Sequence, residues 1–513
     1  MTLLALALLL QAGANGDSAR TQQAVSQAQA EFERGRIWMI ASTPPGAAGS
    51  CDVKIGRYCY WYNENEPPPP ADTQGLLLAR GTLLDQLNKA LTRYPGDFWV
   101  TGQIVRYLIE DRRADSALAI VDSCKTTPWW CSALKGLVYH ISGYTQTAER
   151  AFEDAIRQMS EERRCAWNDL RPLLTGFYYG AYKDLTCAQR DSANARLLWL
   201  GRPQFSALGN PLRTEIYARR TWLATFENAI TQDGSPMGDD LVELVFRYGW
   251  STAWSQNSPP PGVQGAGYSI VGHEPKPAYS FMPDHEDEAG IPEWKWKDPK
   301  ASSRFHPIWA TGIVWIDEVQ WTRFLRGDKA MTVASFRAPW AHKTAQFTDV
   351  TLALSAGPEE GDPIPGFGTS NGPRGVARAL GTWGRRLLAS LEVIDPGSGM
   401  AAIGRTVLEP LSEGQETGPM VSDILLFEPG EDLPEGLDAA MKLARSGTTV
   451  PVGSAVGLYW ETYRAGAGEA FEVSLAVEQA RAGLLKRVGR TFGLGGKARP
   501  IKLSWNGVGG EGV

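Results

Sequence analysis

Asp239 and Asp240 stand side by side at the entrance of the stretch GDDLVELVFRYGW, Gly238 to Trp250. Two carboxylates can divide the work of general acid and general base. Adjacent residues of an extended chain point to opposite faces, so on a strand this pair would not converge. The run Leu241 to Tyr248 is β-branched and aromatic and reads as a mostly buried strand, with Gly249 permitting a sharp turn. Asp240 is then expected to be structural, accepting hydrogen bonds from a turn, and Asp239 to face water.

A second constellation lies in VGHEPKPAYSFMPDHEDEAG, which holds His273, Glu274, His285 and Glu286, with His306 further on. Histidine and carboxylate in such density could ligate a metal, but the spacing matches no H-E-x-x-H or comparable zinc signature. A proline-rich connection with surface histidines is the expectation, and neither metal nor cofactor is assigned. Ser422, Asp423 and Tyr463 are also of catalytic type. No histidine follows His342 and no nucleophile elbow is present, so no local triad is expected there. Arg326-Gly327-Asp328 sits between two alternating runs and reads as a hairpin turn. No residue is therefore assigned a catalytic role. A hydrolase of envelope polymers, with Asp239/Asp240, Glu274 and the histidines around one cleft, is the competing reading. A carbohydrate-binding module using exposed tryptophans is a third.

The elements that must position these residues follow from patterning. The chain has 513 residues, enough for about three domains. Its net charge of −6 leaves no footprint for nucleic acid. Nineteen tryptophans suit aromatic cores and extracellular binding faces. At the N-terminus, an apolar run from Leu3 to Leu10 precedes Ala12-Gly13-Ala14. That run is too short to span a bilayer and reads as a secretory signal over residues 1–14. The six cysteines fall into three sequence-local pairs: Cys51 with Cys59, Cys124 with Cys131, and Cys165 with Cys187. In an exported chain they read as disulfides.

Residues 15–74 read as a proline-rich lead-in with a cysteine loop. Helical periodicity begins near Leu76, and a helical domain is expected over 75–190. Within it, CSALKGLVYHISGYTQTAERAFEDAI resembles a tetratricopeptide repeat through Gly136, Tyr139, Gly143, Ala148, Phe152 and Ala155. Asn210 followed by Pro211 marks a helix start. Leu212, Ile216, Leu223, Phe226 and Ile230 then give one apolar face. From Gly312 onward, strand-like runs alternate with Gly/Pro-rich segments and argue an antiparallel β-sandwich over 311–507.

The order Trp199, Arg202, Pro203, Asn210, Glu215, Arg219, and then Asp240 before Arg247-Tyr248-Gly249, resembles the GWxTD domain family of exported bacterial proteins. Asp240 takes the place of the final Asp of the family's name-giving motif, whose other positions are here Pro236-Met237-Gly238-Asp239. The resemblance is reinforced by VSDILLFEP and GLYWETYR and implies a GWxTD-like domain over 191–310. The expected fold class is α+β multidomain: helical repeats, a mixed middle domain and a C-terminal sandwich. The expected function is that of an exported non-catalytic binding or scaffold protein, periplasmic or secreted, with protein partners in the cell envelope, no nucleic acid and no membrane span.

Overall fold

Residues Thr2–Arg36 form one helix, α1, which reaches well into the region read as an extended lead-in. Val25, Gln29, Phe32, Glu33 and Arg36 recur at helical spacing and are all buried. The computed structural model describes residues 2–43, 51–257, 268–283, 298, 300–338, 349–358, 363–371, 373–382, 384–410, 420–464, 468, 470–477 and 501–508. His285, Glu286 and His342 lie outside the described residues. The chain divides into two compact units. One comprises Met1–Asp317, Ala338–Pro373 and Leu387–Leu408; the other comprises Glu318–Arg337, Arg374–Arg386 and Glu409–Val513. The fold is mixed α+β.

In the first unit α1 is followed by β1 (Ser42–Thr43) and a short hairpin, β2 (Val53–Ile55) and β3 (Tyr58–Tyr60), which the Cys51–Cys59 disulfide closes. Helices α2 (Gln74–Arg93), α3 (Phe98–Glu110), α4 (Ala114–Asp122), α5 (Pro128–Ile141) and α6 (Thr145–Gln158) come next. Thr73 caps α2 and Asp97 caps α3, each accepting a hydrogen bond from a first-turn amide. α5 and α6 pack closely where Gly136 faces Phe152: a Cβ at Gly136 would fall 2.6 Å from that ring. Cys124–Cys131 ties the end of α4 to the first turn of α5. Cys165–Cys187 ties α7 (Glu161–Trp167) to the first turn of α9 (Cys187–Leu200), across α8 (Gly176–Tyr182).

α10 (Pro211–Ala224) starts as its sequence indicates, with Asn210 Oδ1 accepting from the amides of Leu212 and Arg213. The helix stops at Ala224, so Phe226 and Ile230 lie beyond it. Gly238 to Tyr248 requires a correction. Asp239–Tyr248 is a helix, α11, not a strand. Leu241, Leu244, Val245 and Tyr248 stand at i, i+3, i+4 and i+7, a helical face that packs on β2, β3 and α10. Burial of that face outweighs the strand preference of its β-branched and aromatic residues. Both aspartates fall in the first turn, where the positive end of the helix dipole favours them.

After α11, β4 (Ala253–Asn257) pairs in parallel with β1 and antiparallel with β5 (Ser269–His273). Five strands complete the unit in one sheet, in the order Gly312–Trp315, Met400–Leu408, Leu387–Asp395, Asp349–Ser355 and Ile364–Asn371. The first pair is parallel, with Gly312 opposite Met400, and the others are antiparallel. Ala353, Leu388, Ala401 and Ile403 of this sheet share a core with Leu197, Leu200, Leu212 and Ile216 of α9 and α10.

Besides the antiparallel pairs Met420–Val421 with Thr462–Tyr463, Leu425–Phe427 with Gly457–Tyr459 and Ala470–Val477 with Ile501–Val508, the second unit has three neighbouring antiparallel strands, Arg374–Thr382, Lys329–Arg337 and Val319–Arg326. The last two form the expected hairpin, turning at Gly327 with φ +64°. Arg326 is held there by both oxygens of Glu461, at 2.6 and 2.9 Å. Phe324, Val333, Leu425, Leu437, Ala440 and Met441 form its core. Asp423 accepts from the amide and Nε of Arg323, Ser422 Oγ accepts from the Glu461 amide, and Tyr463 donates to Glu461, so each is engaged in hydrogen bonds within this unit.

Candidate ligand-binding site

Glu215 and Arg219 are one turn apart on the buried face of α10, and Arg219 Nε donates to Glu215 Oε1 at 2.6 Å. Arg219 spends its other donors on backbone carbonyls: Nη1 on Phe246 and Arg247, at 3.0 and 2.8 Å, and Nη2 on Arg304 at 2.5 Å. Two of those carbonyls belong to the last turn of α11, which has no intrahelical donors for them. Gly249 then turns the chain with φ +90°, and a Cβ there would meet the Arg219 guanidinium at 3.4 Å. The second oxygen of Glu215 accepts from His140 Nε2 at 2.7 Å, and His140 Nδ1 lies 3.0 Å from Thr214 Oγ1. Burial works against the Glu215 charge, but Arg219 and His140 overcome it and hold the carboxyl down at about 2.

This buried ion cluster forms one wall of a cavity of about 510 Å³ in the first unit. Glu274, Lys276 and His306 line the same cavity. Lys276 Nζ is 3.6 Å from Glu274. The Glu274 side chain is 23% exposed and lines the cavity. Burial pushes its carboxyl above the ordinary value, with Lys276 opposing and Glu66 adding. His306 Nδ1 is bonded to the Pro277 carbonyl at 2.7 Å, which requires Nδ1 to be the donor and leaves Nε2 as an acceptor in the neutral ring. Aromatic rings, aliphatic side chains (Ile109, Ile141 and Ile308) and the charged Glu110 and Arg112 complete the walls. Trp250 is half-buried and stacks on buried Trp222, with centroids 5.3 Å apart at 22°. Tyr60 lies flat on Tyr248 at 3.6 Å. A second cavity, of about 340 Å³, adjoins the first, and Tyr60, Trp222, Trp250, Ser251, Trp254 and Glu274 line both.

The residues of the family-like motif separate into four places. Glu215, Arg219, Tyr248 and Gly249 meet at the cavity, with Arg247 behind them donating to the Ser302 carbonyl at 2.7 Å. Trp199, Arg202 and Pro203 form a different cluster. Trp199 Nε1 donates to Ser355 Oγ, and the carbonyls of Arg202 and Pro203 accept from Arg405. Asn210 is the cap of α10. Asp240 is remote from the cavity: its carboxylate faces the β2–β3 turn, 3.2 Å from Arg57 Nε and 3.4 Å from the Arg57 amide. Asp239 is exposed, so the two aspartates form no acid–base pair. The reason they differ is docking of the disulfide-closed hairpin, not alternation along a strand. Asp240→Ala should cost about 1 kcal/mol, since the ion pair is half in water but the helix terminus also favours the charge. Asp239→Ala should cost about 0.5 kcal/mol or less. Equal shifts of the two variants in urea melts would contradict this geometry.

His273 does enter a constellation of catalytic type. Its Nδ1 is 2.9 Å from Glu66 Oε1 and its Nε2 is 2.8 Å from Ser255 Oγ. This is the serine–histidine–carboxylate order of nucleophilic catalysis. Ser255 is fully buried, however, in a strand paired on both sides, and lines neither cavity. No substrate reaches that hydroxyl; the triad fastens the 62–66 loop to the sheet. Among the described residues no three His, Cys, Asp or Glu side chains gather as a metal-ligand set. His140, Glu66, Ser255 and Lys276 were not singled out by sequence. The one local signal was the Glu215/Arg219 pair, two charges on an otherwise inward helix face that must find partners.

The chain matches no protein-family model, no curated protein and no solved structure.

Proposed function

We propose that this chain is an exported, non-catalytic binding protein and that the aromatic-walled cavity of its first unit is the ligand site. One observation carries the reading: indole and phenol rings and a few convergent polar groups (Glu274, Lys276 and His306) enclose a space of the size ligand pockets have. Three disulfides and the apolar N-terminal run support export to an oxidising compartment, periplasmic or extracellular. No helix among the described residues is long and apolar enough to cross a membrane. The GWxTD-like ancestry is supported by the meeting of Glu215, Arg219, Tyr248 and Gly249 at one place. The repeat-like reading of the helical region is supported by the α5–α6 contact at Gly136, and such layers offer a docking face for envelope proteins. The sandwich reading of 311–507 rests on its run of antiparallel strands.

A hydrolytic reading draws on one feature, a carboxyl pushed up by burial (Glu274) and one held down (Glu215) on the same cavity. Both Glu215 oxygens are already engaged by Arg219 and His140, which fits a supporting wall better than a base or nucleophile. Native mass spectrometry of the mature chain mixed with a low-molecular-weight envelope extract tests the binding reading. A discrete adduct that is lost in Trp250→Ala is expected. Adducts of equal abundance on both chains, or none on either, would sink it.

Glu274 also makes a pH prediction. A carboxyl whose folded value is raised contributes stability below its unfolded value, and that contribution is lost as pH rises through the folded one. Glu274→Gln should therefore raise the urea midpoint at neutral pH. The gain should vanish below about pH 4, where the unfolded carboxyl is protonated too. A variant less stable than the parent at neutral pH would contradict the desolvated placement of this group.

A further inference from the structure

We infer that the ligand is a neutral oligosaccharide segment of at least two rings, seated across the two adjoining cavities with one sugar face on Trp250 and its hydroxyls on Glu274, Lys276 and His306. The inference rests on the binding reading above and adds its substrate class. Three observations carry it.

Trp250 is the half-buried indole shared by both cavities, and its stacking on Trp222 fixes the plane it offers. A fixed aromatic face takes the apolar face of a ring ligand at low entropic cost. The buried charges around the site are already matched: Glu215 with Arg219 and His140, Glu274 with Lys276, and Glu110 with Arg36 and Arg106, while Arg112 on the lining is exposed to water. A ligand carrying net charge would leave one buried charge uncompensated, whereas a neutral one keeps each pair intact. The polar groups still free to bind are mixed in sense. Lys276 can only donate, His306 Nε2 accepts when neutral, the Ser251 hydroxyl does either, and the Thr252 hydroxyl, which donates to the His273 carbonyl, can accept. Vicinal sugar hydroxyls, each both donor and acceptor, suit such a set. The common lining of two cavities of about 510 and 340 Å³ favours a ligand of linked rings over a single one.

The test uses the mature full-length chain. Calorimetric titration is run with neutral mono- to tetrasaccharides of glucose and N-acetylglucosamine. The matching uronic-acid and glucosamine oligomers serve as anionic and cationic counterparts. Variants are Trp250→Ala and Trp250→Phe, each checked for parental melting. Neutral saccharides should bind, with at least a tenfold gain from one ring to two and at least a tenfold loss for either charged series. Trp250→Ala should weaken binding at least tenfold, and Trp250→Phe less. A charged series that binds best and still depends on Trp250 would overturn the sugar class assigned here while leaving the cavity as the site. Neutral sugars bound equally by all variants would overturn both the inference and the cavity reading. Absence of binding by every neutral saccharide would overturn the inference.

Discussion

Replacing Glu33 with alanine should cost about 3–5 kcal/mol, the range for stranding buried charges by removal of one partner. Glu33 sits on the inward face of α1 with its side chain out of contact with water. It accepts from Arg36 Nε at 2.7 Å, Arg106 Nη2 at 2.6 Å and the Tyr107 hydroxyl at 2.6 Å. Arg36 is bonded in turn to Glu110 at 2.7 Å, so two carboxylates and two guanidiniums interlock across α1 and α3. Burial alone would pull the Arg36 guanidinium down, and Glu110 and Glu33 more than offset it. Burial likewise opposes the Glu110 charge, yet Arg36, Arg106 and Arg80 hold that carboxyl low. Removing Glu33 leaves two buried cations with a single carboxylate. Glu33→Gln keeps an acceptor but not the charge, so it should lose nearly as much. Urea unfolding followed by circular dichroism gives both numbers, and a loss below about 1 kcal/mol in Glu33→Ala would contradict the interlock.

Glu215→Ala should destabilise comparably, by about 3–5 kcal/mol, because it strands the Arg219 guanidinium and unties His140 together. Its effect has a pH signature. The Glu215 carboxyl is held down at about 2 in the folded chain, against about 4.3 unfolded. A depressed carboxyl contributes stability above its unfolded value and loses it as pH falls through the folded one, about 3 kcal/mol in all. The parent should therefore lose stability steeply between about pH 4.5 and pH 2, and Glu215→Gln should lose less over the same interval. Parallel acid profiles for parent and variant would mean that Glu215 carries no such load.

Several features were legible in the chain itself because their causes are local. Asn210-Pro211 starts α10 since an amide-accepting side chain and a ring-fixed φ act within one turn. The cysteines pair within short loops, where closure is easy. The strands of Val319–Arg326 and Lys329–Arg337 meet across a Gly-Asp turn. Leu241 to Tyr248 reads as a strand and is a helix for an equally physical reason. Its residues favour a strand by type and a helix by spacing, and only the surfaces of β2, β3 and α10 select between them. The cavity lies further still from the sequence. His140 comes from α5, Glu215 from α10, and Trp250 and Glu274 from loops beside β4 and β5. No spacing rule connects positions so far apart. The Glu215/Arg219 pair announced that buried charges needed partners. Which partners they found, and that their meeting leaves a space lined by indole rings, was decided by how the helices pack.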